Sequence, residues 1–367
     1  MTHRPKSPRH GLVPPVPQLE TARALHTLLA AWFDEEDRPV ATSEAWKPVL
    51  ALAEKTKTAG LLAHPICRTD ADASFVQAIK SRADATTFRN LRNLDWTVKS
   101  VSVLRSAGIE PLVFKGALRA HNVYGMWSAR SSADIDLLVR ETEYDRAREA
   151  LVAGGFEAQV PDDSRWWHLH LGEAPYRHPS PQAPFIDLHR TLQQPGGPYP
   201  GDLEEFFTDS MNEIVGQIAI KTPSPLHALL ICAINYGKAV RAFEPTLAHL
   251  HEMSFATRSL GGEYLAVLKE MVARHRLSRL FEDLWSKSQL LFPHPSAALP
   301  WSTEHERILL DAVRFGQQEP FDRTKWLWKW TDGALPARVI GFSKGFARVL
   351  SSNYHYRRDK MLGRLSR

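Results

Sequence analysis

Two aspartates one residue apart, Asp134 and Asp136, stand in the run Asp134-Ile135-Asp136-Leu137-Leu138-Val139. In a strand, side chains alternate between faces, so both carboxylates leave one face while Ile135 and Leu137 enter a core. Carboxylates this close repel and raise each other's pKa. A divalent cation between them reverses that penalty. Oxygen ligands of this kind suit Mg²⁺, which takes one or two carboxylates and completes its shell with water and substrate phosphates. A third acid, Asp187, lies in the segment Pro184–Arg190, flanked by Ile186 and Leu188 and facing away from them. If this segment is a strand beside the first, Asp187 joins the same face. Three carboxylates could then hold two metal ions about 3.5–4 Å apart, activating an attacking hydroxyl and stabilising a leaving pyrophosphate oxygen. Asp187 is also suited to help deprotonate an acceptor hydroxyl. The chemistry is that of a magnesium-dependent enzyme acting on a nucleoside triphosphate.

Upstream, Lys115-Gly116 falls at an expected strand-to-helix turn. Glycine lets the backbone approach an anion, and a helix N-terminus offers free N–H groups and a positive dipole. No G-x-x-x-x-G-K-[ST] loop is present. Arg130, four residues before Asp134, is a candidate phosphate or carboxylate clamp, with a solvated arginine as the plainer reading. Ser131 and Ser132 are loop polars that could bond phosphate. Of 16 histidines, His189 shares the expected face of Asp187, while His168 and His170 alternate on an expected strand. With no H-E-x-x-H or C-x-x-C, no zinc site is expected. Trp166, Trp167, Trp326, Trp328 and Trp330 are read as core ahead of a base-stacking surface.

The elements that must position these residues follow from periodicity. Residues 1–16 read as a disordered arm. Residues 17–108 read as a helical region, with Leu19, Ala22, Leu25, Leu28, Leu29 and Trp32 on one helix face. Pro39 and a Thr42-Ser43 cap precede a second helix over Ala45–Lys55. A long helix runs from Ala73 to Ser106, its face marked by Phe75, Ile79, Ala83, Phe88, Leu91, Leu94, Val98, Val101 and Leu104. Residues 109–222 form the core: strands at Glu110–Phe114, Ala133–Val139, Phe156–Val160, Trp166–Leu171 and Pro184–Arg190, and helices at Gly116–Tyr124 and Glu141–Ala153. A short helix near Asp202–Thr208 and a strand at Glu213–Lys221 complete it. Strands alternating with helices imply an α/β-like core. Residues 223–320 read as a helical domain, and 321–367 as a basic, aromatic tail carrying Arg338, Lys344, Arg348, Arg357, Arg358, Lys360, Arg364 and Arg367.

With 367 residues, 43% hydrophobic and 24% charged, the chain is an ordinary globular protein by composition. Its net charge of +5 fits anionic substrates and is weak evidence for nucleic acid. Two cysteines, Cys67 and Cys232, do not make a disulfide framework, which points to a cytoplasmic location. No apolar run approaches the ~20 residues of a membrane span, and no signal peptide is expected.

The ordered set F-K-G-A, R-x-x-x-D-I-D-L-L-V, Arg148–Phe156 (R-x-x-L-x-x-x-G-F) and F-I-D-L-H resembles the uncharacterised nucleotidyltransferase family of the polymerase-beta-like superfamily, over about Leu112 to Leu192. The resemblance implies an α+β fold, a small mixed sheet flanked by helical regions. It also implies Mg²⁺-dependent transfer of a nucleoside monophosphate, such as that of ATP, to an acceptor. Asp134, Asp136 and Asp187 would be the metal carboxylates, and Lys115 and Gly116 would contact phosphate. Two departures stand out: Ala117 follows Gly116 where the wider superfamily has G-G or G-S, and the interval from Gly116 to Asp134 is longer. Where family members carry a histidine and an aspartate in the next helices, Asn235 and His249 or His251 stand here. The family's frequent association with peptide natural products, lasso peptides among them, implies a peptide or small-molecule acceptor. RNA, met through the basic tail, is a second acceptor class, and a non-catalytic nucleotide-binding descendant is the third reading.

Overall fold

The computed structural model describes residues 18–33, 46–66, 72–258, 260, 262–294, 300–316 and 329–364. The expected arm over residues 1–16, Pro39, the Thr42-Ser43 cap, Cys67, Trp326 and Trp328 lie outside them. Helices α1 (Leu19–Ala30), α2 (Trp46–Lys55) and α3 (Ala63–Ile66) open the chain. Pro48 falls in the first turn of α2, where a missing N–H costs nothing. The 34-residue α4 (Ala73–Ser106) starts where Asp72 accepts from the backbone N–H groups of Ser74 and Phe75. At 1.5 Å per residue it is about 50 Å long.

The central sheet has five strands: β1 (Leu112–Val113), β2 (Asp134–Leu138), β3 (Glu157–Ala158), β4 (Glu173–Arg177) and β5 (Phe185–His189). Their spatial order is β1-β2-β5-β4-β3. Only β2 and β5 run parallel; β1–β2, β5–β4 and β4–β3 are antiparallel. Helix α5 (Ala117–Tyr124) follows β1, and α6 (Tyr144–Ala153), entered through a 3₁₀ turn at Glu141–Glu143, follows β2. Ile135, Leu137, Ile186 and Leu188 pack with Leu94, Trp96, Val101 and Leu104 of α4 and with Ala147 and Leu151 of α6. The opposite face, which carries the aspartates, adds Leu138 to a second core shared by α1, α2, the N-terminal end of α4 and the helices that follow the sheet. Those helices are α7 (Glu204–Thr208), α8 (Pro225–Ala242), α9 (Leu247–Arg258), α10 (Gly262–Arg274), α11 (Ser278–Leu291) and α12 (Thr303–Val313); α13 (Leu335–Met361) is the last described helix.

Three expectations about elements are corrected. Trp166–Leu171 is not a strand but a π-helical turn. Asp359 of α13 accepts from Ser164 Oγ and from the Trp166 N–H at its start, and Gly172, left-handed, ends it. A tertiary cap overrides the local alternation. The single strand expected at Glu213–Lys221 is a hairpin of β6 (Met211–Val215) and β7 (Ile218–Thr222), turning at Gly216 with φ 62°. The mid-section of the expected α4 face also fails: Phe88 is 72% and Leu91 48% exposed, whereas Asn90, Asn93, Thr97 and Ser100 are buried. At that point α4 crosses a loop whose backbone groups have no ladder partner. Among the described residues no helix is long and apolar enough to cross a membrane.

Candidate active site

Parallel pairing sets Asp136 of β2 directly beside Asp187 of β5, with Ile135 beside Ile186. In-register neighbours project to one side of a sheet, so the two carboxylates face each other's space. Asp134 lies two residues before Asp136 on the same face. His189, two residues after Asp187, completes the group: donor atoms of Asp136, Asp187 and His189 all lie within 4.8 Å of one another.

Asp136 is the hub. Its Oδ1 accepts from Lys115 Nζ at 3.1 Å and from His189 Nε2 at 3.1 Å. Burial opposes its ionisation, but Lys115 and His189 together outweigh that and hold the carboxyl well below the usual range. Asp187 goes the other way. Burial pushes it up to about 7, with the charges of Asp136, Asp134 and Glu173 adding to the rise and His189 opposing it. Asp134 is raised too, by burial first and then by Asp136. A divalent cation would relieve that burial and repulsion, and carboxylate oxygens from two strands beside an imidazole are donors that Mg²⁺ accepts. The residues therefore fit such an ion. Behind His189, Glu173 Oε2 lies 3.6 Å from Nδ1, and Gln194 Nε2 donates to Glu173 Oε1 at 3.0 Å. The His189 ring is thus engaged at both nitrogens.

Gly116 precedes α5 with φ 82° and ψ −150°, a region open only to glycine. A Cβ there would lie 3.2 Å from Ser132 Oγ, whose hydroxyl donates to the Asp134 carbonyl at 2.6 Å. The turn that follows β1 and the approach to β2 are therefore packed as one unit. Arg130 is placed differently from a free phosphate clamp: its Nη1 lies 3.5 Å from Glu252 Oε2 of α9, and Arg119 pairs with the other Glu252 oxygen. Both charges hold Glu252 below its ordinary value although burial opposes this. His249 and His251 are buried on α9, and His251 Nδ1 meets the Tyr124 hydroxyl at 3.1 Å. Trp330 is core, and Trp166 packs edge-on against Tyr356 of α13.

Sequence reasoning missed the groups that hold the approach loop. Asn90 Nδ2 donates to the carbonyls of Trp127 and Arg130, and Asn90 Oδ1 accepts from the Ser132 N–H. Asn93 Nδ2 donates to the Ser132 carbonyl. Two asparagines three apart in the interior of a long helix, where asparagine is a poor helix former, were the available signal.

The profile of a family described as uncharacterised nucleotidyltransferase matches residues 42–293. The chain belongs to this family. It is a nucleotidyltransferase, and membership implies a nucleoside triphosphate donor and an acceptor. The matched stretch runs from α2 through α11, far beyond the motifs around the two aspartate-bearing strands. No curated protein matches the sequence. Among solved structures, the antibiotic-resistance factor ANT(2'')-Ia is similar at 12% identity over 50% of this chain and 92% of that chain, with a TM-score of 0.34.

Proposed function

We propose that this nucleotidyltransferase moves a nucleoside monophosphate from a triphosphate such as ATP to a hydroxyl or phosphate of a small-molecule or peptide acceptor, releasing pyrophosphate, in the cytoplasm. The observation that carries this reading is the in-register pair Asp136 and Asp187, with Asp134 on the same face. These three carboxylates would hold Mg²⁺, which when bound supplies charge stabilisation for the transferring phosphoryl group. Lys115, now paired with Asp136, brings positive charge to where phosphates would lie, and the α5 N-terminus after Gly116 adds free N–H groups. Asp187, raised to about 7 with no ion bound, would be held ionised by the Mg²⁺ it helps to bind, and as a carboxylate would take the proton of the attacking acceptor oxygen. His189 and Glu173 keep the Asp136 carboxylate oriented. Because Glu252 holds Arg130, we assign Arg130 a role in positioning the approach loop as well as a contribution to local positive charge.

The test is incubation of the protein with α-labelled triphosphates, Mg²⁺ and a cell extract, followed by identification of the labelled molecule. Asp136→Asn and Asp187→Asn should each cut label transfer by about 10²-fold or more, with circular dichroism unchanged. Full transfer by both variants would remove the site assignment. Label found on RNA in place of a small molecule or peptide would move the acceptor to the second class.

A further inference from the structure

A second group of donors lies away from the aspartates, where three segments distant in sequence meet. Glu205 comes from α7, His227 from the first turn of α8, and His275 from the corner just after α10. Glu205 Oε2 lies 2.9 Å from His275 Nε2 and 4.0 Å from His227 Nε2, and the three donor atoms all fall within 4.8 Å of one another. Both imidazoles are buried, His227 at 0% exposure.

The polar inventory of this cluster does not close by itself. His227 Nδ1 meets Ser224 Oγ at 2.9 Å, which leaves Nε2 turned toward the Glu205 carboxylate, buried and without a hydrogen-bond partner. Buried polar atoms in folded proteins are normally satisfied, and each exception calls for an account. With Nδ1–H donated to Ser224, Nε2 presents a lone pair to a carboxylate that already meets His275. Two acceptors aimed at one point repel, and a cation at that point satisfies both. Arg274 Nε, 3.2 Å from Glu205 Oε1, fixes the carboxylate by its other oxygen and leaves Oε2 to the cluster. Phe206 packs against both rings.

We propose that Glu205, His227 and His275 form a binding site for a transition-metal dication of the zinc class, separate from the magnesium-type carboxylates. Two imidazole nitrogens favour zinc, copper, iron or nickel over magnesium. Two histidines and one carboxylate supply three ligands of a tetrahedral zinc ion and leave the fourth position open. Glu205 is 27% exposed on its side chain, so that position is reached from solvent. The bound ion ties α7 and the segment after the sheet to α8 and to the α10–α11 corner.

The full-length chain, stripped with a chelator, is titrated with Co²⁺ as a coloured stand-in for zinc. The expected result is one tightly held equivalent with the intense visible absorption of a four-coordinate site, displaced by zinc and unaffected by excess Mg²⁺. The His227→Gln/His275→Gln variant loses that spectrum, Glu205→Gln weakens binding about tenfold or more, and Asp136→Asn/Asp187→Asn keeps it. Absence of tight binding by the native chain, or an unchanged spectrum in the double-histidine variant, overturns the proposal. Should that variant fail to fold, anomalous scattering at the zinc edge from crystals of the native chain decides. A peak between the three side chains supports the site, and a peak only at the aspartates, or none, refutes it.

Discussion

Asp136 and Asp187 are the same residue type on neighbouring strands, yet their environments drive them apart. The first pairs with Lys115 and His189; the second is raised above all by burial, with His189 opposing the rise and the neighbouring carboxylates adding to it. Ion pairing lowers one carboxyl while burial raises the other. Gly116 is the residue on which the turn before α5 depends. An alanine there would occupy a glycine-only region and press on Ser132 Oγ. Gly116→Ala should lose about 1–3 kcal/mol of stability in urea unfolding and lower kcat/KM through the displaced Ser132–Asp134 bond. An unchanged unfolding midpoint would show that the turn can adopt another backbone conformation.

At the level of elements, α4 reverses the usual pattern of an amphipathic helix. Its central asparagines are buried because they hydrogen-bond an irregular loop, while Phe88 is left in solvent. Asn90→Ala orphans the Trp127 and Arg130 carbonyls and the Ser132 N–H, and should cost roughly 1–3 kcal/mol or more. Phe88→Ala should change stability by no more than about 0.5 kcal/mol. The opposite order of the two variants would contradict this placement. Helix α9 makes stability depend on pH. Burial pushes His249 and His251 each down to about 3 in the folded chain, against roughly 6.5 when unfolded. Between those values the unfolded chain binds more protons, so stability rises with pH and is lost as pH falls from 6.5 toward 3. Glu252, also depressed, adds a loss in the same direction below its ordinary range. The urea midpoint should therefore drop steadily from pH 7 to pH 4, with a shallower slope in His251→Phe. Asp187, raised to about 7, works in the opposite sense over the same window, so an equal slope in the native chain and in His251→Phe would mean that this histidine gains its proton without penalty.

Across the whole molecule, α4 joins two cores. Its N-terminal end packs with the helices on the aspartate side and its C-terminal half packs under the sheet. The basic α13 is tied to the sheet side through Asp359, which accepts from Ser164 and Trp166, and through Trp166 Nε1, which donates to Ser352 Oγ at 3.1 Å. Asp359 is fully buried, so Asp359→Ala strands both donors at a cost of about 1–3 kcal/mol. The expected outcome is faster hydrogen exchange over Trp166–Leu171 and α13, with little change in the five-stranded sheet. Equal exchange in both proteins would place the docking energy elsewhere.

Much of this was legible beforehand because it is local. The D-x-D alternation put two carboxylates on one face, the 3.6-residue period marked α4 from Ala73 to Ser106, and Gly116 after Lys115 announced a special turn. Each rests on backbone geometry within a few residues. What only tertiary structure decided involves partners far apart in the chain. Nothing near Asp187 specifies that β5 pairs in parallel with β2, residue for residue. Nothing near Trp166 foretells a cap from Asp359, and nothing near Glu205 foretells His227 and His275. Hydrogen bonds, ion pairs and metal ligands act over a few ångströms of space, and only the folded backbone turns sequence distance into that proximity.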